Sequence, residues 1–293
     1  MKKIIILGST GSIGKQTLEI IKKDKKNFKV ILLSTDQNIA LISKQIKMFN
    51  VKNVVVTNKK KYLILKKKVK KINVYPNFKD IDKKIKIKAD YTMSAISGIE
   101  GLKPTINIIK KTKRIAIANK ESIICGWEFI QKELKKYKTE FIPVDSEHFS
   151  IKELSKSYSN EDIEKIYITA SGGPFLKLKK NDFKKIKPKA ALNHPKWKMG
   201  SKISIDSATL MNKVLELIEA LRLFPYKFEK YEIVIHPQSL VHAIVKFNNG
   251  ITKFLYHEPD MSIPILNALF NFKINVNEKK LLKRKKQSIE DLQ

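Results

Sequence analysis

Short apolar runs alternate with amphipathic helical patterns through the first half of the sequence, and this alternation restricts the fold more than any other feature. The predicted strands are residues 3–7, 28–34, 53–57, 89–96 and 114–118, and the predicted helices include 17–21, 104–111 and 122–137. Strands that are apolar along their whole length and separated by helices are typical of a parallel sheet covered on both faces. The first half therefore predicts an α/β fold with a Rossmann-like parallel sheet, which we assign to a domain over residues 1–150.

The pattern changes after residue 150 and predicts a second domain, antiparallel and of the α+β class, over residues 151–274. A predicted strand at 163–170 leads into a polar segment rich in lysine and proline at 171–200, and a predicted helix follows at 207–224. Further strands are predicted at 232–235, 240–247 and 251–256, with an Asn-Asn-Gly turn between the last two as in an antiparallel hairpin. Residues 275–293 are charged and unpatterned, and we expect this tail to fray.

Three glycines follow the first predicted strand directly, in the segment Gly8-Ser9-Thr10-Gly11-Ser12-Ile13-Gly14. Glycines let a backbone turn tightly and approach a pyrophosphate, whose charge is stabilised by the free N–H groups of a helix N-terminus. The spacing is G-x-x-G-x-x-G and not the usual G-x-G-x-x-G, so a plain tight turn is the alternative. The position between a strand and a helix favours dinucleotide binding.

Three carboxylates in two separate segments form a candidate metal site. Asp145 and Glu147 follow an apolar run, and in an extended backbone residues i and i+2 point to the same side. Asn212 and Glu216 are one turn apart on a predicted helix and so share a face. Carboxylates without a Cys or His pair at ligand spacing suit Mg2+ or Mn2+ and do not suit zinc. Acidic residues at strand ends and helix starts are also common without an ion, which is the alternative here.

The formal net charge of +32 raises the question of nucleic-acid binding. Arginine occurs only at Arg114, Arg222 and Arg284, so lysine supplies nearly all of the positive charge. Base recognition and phosphate clamps favour arginine, and the lysines are spread along the whole chain. Codons rich in A and T would produce the same lysine- and isoleucine-rich composition. We therefore expect non-specific sticking at low salt but no specific nucleic-acid partner.

Other features bear on location and packing. No apolar run approaches the ~20 residues that span a bilayer, and the apolar stretch after Met1 is too short for a signal peptide. The single cysteine, Cys125, fits a reducing compartment, so we expect a cytoplasmic location, with Cys125 and Trp127 packed in the core. We expect His148, His236 and His242 to be structural histidines with satisfied hydrogen bonds.

Seven sequence motifs of five to twelve residues occur in order along the chain. They are ILGSTGSIG (6–14), ANKES (118–122), PVDSEH (143–148), SGGPF (171–175), HPKWKMG (194–200), KISIDSATLMNK (202–213) and IHPQS (235–239). In these motifs the chain resembles the 1-deoxy-D-xylulose 5-phosphate reductoisomerases. The resemblance implies an enzyme that uses NADPH and one divalent cation, Mg2+ or Mn2+, to convert that sugar phosphate to 2-C-methyl-D-erythritol 4-phosphate, an isoprenoid precursor. It also implies a homodimer that pairs subunits through the hairpin 240–256.

The resemblance implies a role for each matching residue. The cofactor would contact Thr10, Gly11, Ser12, Ile13, Asp36, Gln37, Asn38, Asn119, Glu121 and Gly200, and the metal ligands would be Asp145, Glu147 and Glu216. The substrate would be held by Lys120, Ser146, Glu147, Ser171, His194, Ser207, Asn212, Lys213 and Glu216. Catalytic roles would fall to Lys120, Glu147, His194 and Trp197. The polar segment 171–200 would be a flap that closes over the substrate through Trp197 and Met199.

The sequence departs from the family pattern at several points. Asp36 ends the second predicted strand, where a carboxylate usually accepts from the ribose 2′-hydroxyl of NAD, whereas the family carries a small residue followed by a polar or basic one. The alternative is that Asp36 turns outward and caps the helix that follows from Asn38, where an anion is favoured. We expect NADPH to be preferred, with weaker discrimination against NADH than is usual. Val214 replaces a small residue, and His257 stands where a smaller residue is usual.

Family members also continue into a C-terminal helical bundle, and the present sequence ends after its charged tail. A second hypothesis is therefore a catalytically impaired remnant that retains cofactor binding, or a lysine-rich module associated with nucleic acid. The presence of all three carboxylates and of Trp197 favours an active enzyme.

Overall fold

The computed structural model of the protein describes residues 1–193, 200–271 and 274. Within these residues, a seven-stranded sheet has the order β4-β3-β2-β1-β5-β6-β7, and every neighbouring pair is parallel. Its strands are β1 Lys2–Leu7, β2 Phe28–Thr35, β3 Asn53–Val56, β4 Asn73–Tyr75, β5 Tyr91–Ser94, β6 Arg114–Ile117 and β7 Glu140–Pro143. This sheet confirms the Rossmann-like prediction. The strand order reverses between β1 and β5, where open parallel sheets bind ligands at the carboxyl ends of their strands.

Helices connect the strands and cover the sheet. They are α1 Ser12–Lys23, α2 Ile39–Phe49, α3 Lys59–Lys68, α4 Ile81–Lys84, α5 Leu102–Ile109 and α6 Lys120–Tyr137. Along β1, Ile4 and Ile6 belong to one buried cluster and Ile5 and Leu7 to another, because successive side chains point to opposite faces of a strand. Both faces of β1 are therefore covered, which explains its uninterrupted apolar sequence.

The second half contains a four-stranded sheet in the order β11-β10-β8-β9 among the described residues. Its elements are α7 Ser146–Ser155, β8 Ile163–Ala170, α8 Pro188–Ala191, α9 Ser201–Ala208, α10 Met211–Leu223, β9 Tyr231–Ile235, β10 Val241–Phe247, β11 Thr252–Tyr256 and α11 Ser262–Phe270. β10 is antiparallel to β8 and β11, but β8 and β9 are parallel. The purely antiparallel arrangement expected from the hairpin is therefore wrong, because α9 and α10 carry the chain across to β9.

Two helices replace the single helix expected over 207–224. α9 ends at Ala208, and α10 begins at Met211 after Leu210, which adopts a left-handed conformation with φ of 60°. An apolar residue gives no sequence signal for such a break. The consequence is that Ser207 and Asn212 lie on different helices and approach the same region from two directions.

The last described helix returns to the first sheet. Ile265, Leu266 and Phe270 of α11 belong to the same buried cluster as Ile4. The ring of Phe270 meets that of Phe28 edge-on, with centroids 5.4 Å apart. The chain after β11 thus packs against the Rossmann-like sheet, which ties the two halves together.

Two local predictions about α6 have different outcomes. Trp127 is buried, as expected. Cys125 is exposed, so the prediction that it packs in the core is wrong. The helix is kinked at Gly126, where φ is −136°, and the kink changes the faces that its flanking residues present. Among the described residues, no helix combines the length and the apolar character needed to cross a bilayer.

Candidate active site

The glycine segment forms a tight turn between β1 and α1. Gly8 has φ of +76°, and a Cβ atom there would lie 2.5 Å from the carbonyl oxygen of Ala95, beyond the end of β5. A Cβ atom at Gly14 would lie 2.3 Å from the carbonyl oxygen of Gly8. Both distances are too short for any side chain, so the turn requires glycine at these positions. The glycines allow α1 to begin at the point where the strand order reverses, where its N–H groups can receive an anion.

The residues predicted to hold the pyrophosphate lie in this turn. Gly11 precedes the first residue of α1, Ser12, and no side chain caps the helix. The hydroxyl of Thr10 lies 2.7 Å from that of Thr35 at the end of β2, and Ile13 packs against the core beneath. An uncapped helix start above a glycine turn offers backbone N–H groups to a ligand phosphate.

The segment after β2 lies beside this turn. Asp36 is exposed, and its Oδ1 accepts a hydrogen bond of 2.7 Å from the hydroxyl of Thr57. Asn38 caps α2 by accepting from the N–H of Leu41, and the exposed Gln37 lies between these two residues. The carboxylate of Asp36 is therefore held by Thr57 and does not cap the following helix.

The remaining predicted cofactor residues lie at helix starts. Asn119 is buried, donates to the carbonyl oxygens of Ile96 and Gly98 and accepts from the N–H of Ser122, so it fixes two loops together. Glu121 pairs with Lys202 of α9 at 3.1 Å. Gly200 precedes α9, and a Cβ atom there would meet nothing within 4 Å.

The three predicted metal ligands converge, although not through the expected backbone. Asp145 is extended, with ψ of 136°, but α7 begins at Ser146, so Glu147 lies in a helical first turn and the extended arrangement expected for this pair is wrong. Glu216 approaches from α10. One carboxylate oxygen from each of Asp145, Glu147 and Glu216 can be chosen so that all three lie within 4.8 Å of one another.

Two lysine ammonium groups pair with the carboxylates of this cluster. Lys213 pairs with Glu147 and Glu216, and Lys120 pairs with Asp145 and, at 3.6 Å, with Glu216. The two lysines are less than a tenth exposed, and the Glu216 carboxylate is almost fully buried. Buried charges of one sign persist only when they are paired, so the cluster is held together by opposite charges from α6 and α10.

The pKa directions follow from this arrangement. Burial raises the pKa of Glu216 to about 7, and the neighbouring Glu147 adds to the effect. Burial alone would lower the pKa of Lys213, but Glu147 and Glu216 outweigh it and raise that pKa. Burial would raise the pKa of Asp145, but Lys120 and His148 outweigh it and hold the pKa well below its usual value.

Four of the predicted substrate residues line one depression beside the carboxylates. They are Ser171, Ser207, Asn212 and Lys213. Gly173 allows its loop to approach α9, because a Cβ atom there would lie 2.7 Å from the carbonyl oxygen of Ser207. The amide nitrogen of Asn212 donates to Glu216, and its Oδ1 is buried without a hydrogen-bond partner among the described residues. Ser146, whose hydroxyl donates to Glu147 at 2.7 Å, lies at the carboxylate edge of the site.

Part of the predicted flap lies outside the described residues. His194, Trp197 and Met199 lie in 194–199, outside the described residues. Between Ser171 and residue 193 the predicted flap contains a short 3₁₀ helix, Lys180–Lys185, and α8.

The histidines differ in their surroundings. His148 is buried with Nε2 2.9 Å from the carbonyl oxygen of Glu216, and Nε2 of His242 lies 2.9 Å from the carbonyl oxygen of His257, as expected for structural histidines. Nε2 of His236 has no hydrogen-bond partner among the described residues, so the same expectation fails there. The ring of His257 stacks on that of His242 with centroids 3.7 Å apart.

One residue of the cluster was missed from the sequence. Glu219 is almost fully buried on α10, and its Oε2 lies 3.1 Å from Nζ of Lys120. It follows Glu216 by three residues on the same helix, and that spacing was the signal that could have identified it.

Family models match most of the described chain. The model of 1-deoxy-D-xylulose 5-phosphate reductoisomerase matches residues 4–126, and the model of that enzyme's C-terminal domain matches residues 141–224. A curated 1-deoxy-D-xylulose 5-phosphate reductoisomerase of Pelagibacter ubique is 55% identical over all of this chain and 75% of its own length. This chain belongs to the 1-deoxy-D-xylulose 5-phosphate reductoisomerase family.

Other members of the reductoisomerase family agree in sequence and in structure. The protein of that name from Thermodesulfovibrio yellowstonii is 46% identical over 92% of this chain and 71% of its own length. The Zymomonas mobilis reductoisomerase in complex with NADPH has a TM-score of 0.82 at 36% identity, over 92% of this chain and 70% of that one. A reductoisomerase in complex with NADPH, fosmidomycin and magnesium has a TM-score of 0.85 at 34% identity, over 92% of this chain and 69% of that one.

Proposed function

We propose that this chain converts 1-deoxy-D-xylulose 5-phosphate to 2-C-methyl-D-erythritol 4-phosphate, with NADPH as reductant and Mg2+ or Mn2+ as an essential cation. The observation that carries the proposal is the convergence of Asp145, Glu147 and Glu216 beside a depression lined by Asn212 and Lys213. Membership of the reductoisomerase family, shown above, supports it.

The donor set fits a hard divalent cation. Asp145, Glu147 and Glu216 offer only oxygen, at a mutual spacing that one ion can bridge. When bound, such an ion acts as a Lewis acid on the oxygens of a hydroxyketone substrate, and NADPH supplies the hydride for reduction.

The side chains around the cation site then have separate roles. Ser171 and Ser207 lie where they can hydrogen-bond a sugar phosphate, and the ammonium of Lys213 supplies the positive charge that its phosphate requires. The unpartnered Oδ1 of Asn212 is an acceptor for a substrate hydroxyl. Anchoring the phosphate orients the reacting carbons. The ammonium of Lys120 lies against Asp145, where it can donate to a substrate oxygen.

The cofactor proposal rests on the turn at the strand-order reversal. The N–H groups at the start of α1, from Ser12 and Ile13, would receive the pyrophosphate, with Thr10 and Gly11 beside them. Asp36, Gln37 and Asn38 would flank the ribose, and Asn119, Glu121 and Gly200 would complete the pocket. His194 and Trp197 are proposed to act from the flap 171–200, as the family resemblance implies.

Three further expectations complete the proposal. We infer a division into a cofactor domain over 1–150 and a catalytic domain over 151–274, which the change from a parallel to a mixed sheet supports. We infer a homodimer, because β11 is an edge strand of the sheet formed by the described residues, and an edge strand can pair with a strand of a second subunit. A cytoplasmic location fits the single cysteine.

The direct test is oxidation of NADPH, followed as loss of absorbance, with 1-deoxy-D-xylulose 5-phosphate and Mg2+ or Mn2+. We expect turnover that a chelator abolishes and added cation restores. Product identity is checked by mass spectrometry, since oxidation without 2-C-methyl-D-erythritol 4-phosphate would contradict the assignment. An impaired remnant would bind NADPH without turnover.

A further inference from the structure

Lys120 contacts three carboxylates, and these differ in their relation to the proposed cation. Its Nζ pairs with Asp145, lies 3.6 Å from Oε1 of Glu216 and lies 3.1 Å from Oε2 of Glu219. Asp145 and Glu216 belong to the proposed ligand set, Asp145, Glu147 and Glu216. Glu219 lies outside that set; it forms a second group of close ligand atoms with Asp145 and His148, and in the structure its carboxylate is occupied by Lys120. Lys120 and the divalent cation therefore compete for two carboxylates, and a single carboxylate is left to Lys120 alone.

The competition is strong because the site is buried. Lys120 is 8% exposed, Glu219 2% and Glu216 1%. An ammonium at this depth needs an opposite charge, and a dication on Asp145 and Glu216 would repel it. Glu219 lies on α10 three residues after Glu216, so the same rigid helix fixes both carboxylates.

We propose that Glu219 is a positioning residue: it holds the ammonium of Lys120 beside the substrate when the cation takes Asp145 and Glu216. This inference rests on the proposed function and adds a residue to it. In the absence of cation, the ammonium bridges all three carboxylates, and cation binding leaves it on Glu219. Without the charge of Glu219, the ammonium stays on Asp145 and Glu216 and opposes the cation.

The test is a double-mutant cycle read by Mn2+ affinity, without substrate or NADPH. Mn2+ binding is titrated by electron paramagnetic resonance in wild type, Glu219→Gln, Lys120→Met and the double variant. Glu219→Gln removes a charge and keeps the shape, so it weakens Mn2+ binding directly in either background. When Lys120 is present, Glu219→Gln also strengthens the competition of the ammonium with the cation. We therefore expect the loss of Mn2+ affinity to be about tenfold larger with Lys120 than in the Lys120→Met background.

Equal effects of Glu219→Gln in the two backgrounds would overturn the inference, since Glu219 would then act on the cation alone. Glu232→Gln, on β9, is the matched control, because Glu232 is exposed and pairs with Lys165 outside the site, and it should leave Mn2+ affinity unchanged. If Glu219→Gln does not fold by circular dichroism, Glu219→Met, which also removes the charge at similar length, carries the cycle, with the same sign expected.

Kinetic measurements distinguish a role of Glu219 in positioning Lys120 from a purely structural role. Glu219→Gln at saturating Mn2+ should lower kcat about tenfold or more with little change in the KM of the sugar phosphate, because Lys120 loses its place while the phosphate site is intact. A rise in KM with unchanged kcat would contradict this. If wild type neither binds Mn2+ nor turns over, the proposed function fails. If wild type does both and the coupling is absent, only the role of Glu219 fails.

Discussion

The choice between NADPH and NADH offers a prediction that can be developed from a single exposed side chain. Asp36 follows β2 at the position where a carboxylate commonly accepts from a ribose 2′-hydroxyl. Its Oδ1 accepts a hydrogen bond of 2.7 Å from the hydroxyl of Thr57, so its charge has a fixed place beside the glycine turn between β1 and α1. A fixed carboxylate should repel the 2′-phosphate of NADPH, whereas it can accept a hydrogen bond from the ribose 2′-hydroxyl of NADH.

The magnitude follows from charge and exposure. Two unit charges about 4 Å apart interact by ~1 kcal/mol in water, and a phosphate monoester carries nearly two charges. We therefore expect Asp36→Asn to raise the ratio of kcat/KM for NADPH over that for NADH by about tenfold at low salt. The gain should shrink as salt rises, because the carboxylate is exposed.

The assay measures kcat/KM for both cofactors in wild type, Asp36→Asn and Asp36→Gly. Asp162→Asn is the matched control, since Asp162 is also exposed and also accepts from a hydroxyl, that of Ser159. We expect wild type to prefer NADPH modestly. A ratio that Asp36→Asn leaves within about twofold of wild type would refute the electrostatic reasoning. A wild-type preference for NADH that Asp36→Gly reverses would show that the carboxylate dominates cofactor choice.

Two other predictions concern stability and cofactor binding. Gly14→Ala should destabilise the protein by ~1–3 kcal/mol and weaken NADPH binding, because its Cβ atom would meet backbone atoms. Gly200→Ala is the control: a Cβ atom there has open space around it, so the melting temperature should be unchanged. A Gly14→Ala variant that is as stable as wild type and binds NADPH would contradict the close approach. Burial lowers the pKa of His257 to about 4, so between pH 6.5 and 4 the unfolded state binds a proton that the folded state does not, and stability falls as the pH falls through this window. His257→Gln should therefore flatten the pH dependence of the unfolding free energy by up to ~3 kcal/mol at pH 4, and an unchanged pH profile in urea titrations would contradict the buried neutral ring.

The strands of the first sheet were predictable because burial on both faces leaves a continuous apolar run. The structure confirms β1, β2 and β6 to within a residue or two of the predicted ends. Their order in the sheet could not be read from the runs themselves, because nothing in a single strand records its neighbours.

The site was predictable only in part. The pairing of Asn212 with Glu216 follows from helical spacing, but the break at Leu210 does not, because an apolar residue gives no sequence signal for a left-handed conformation. Glu219 was missed because a glutamate on a helix is usually solvated, and only the fold brings Lys120 against it. Cys125 was misplaced because the kink at Gly126 changes which face of α6 is buried.

The central claim is that Asp145, Glu147 and Glu216 hold the cation that the reaction requires, and Glu216→Gln tests it most directly. The substitution removes one anionic ligand and keeps the shape of the side chain. NADPH oxidation by wild type and variant is measured across a Mn2+ titration with saturating sugar phosphate, together with NADPH affinity by fluorescence. We predict that turnover falls to no more than a few per cent of wild type at any Mn2+ concentration, while NADPH affinity changes by less than about twofold. A variant that turns over near the wild-type rate at saturating Mn2+ would contradict the claim.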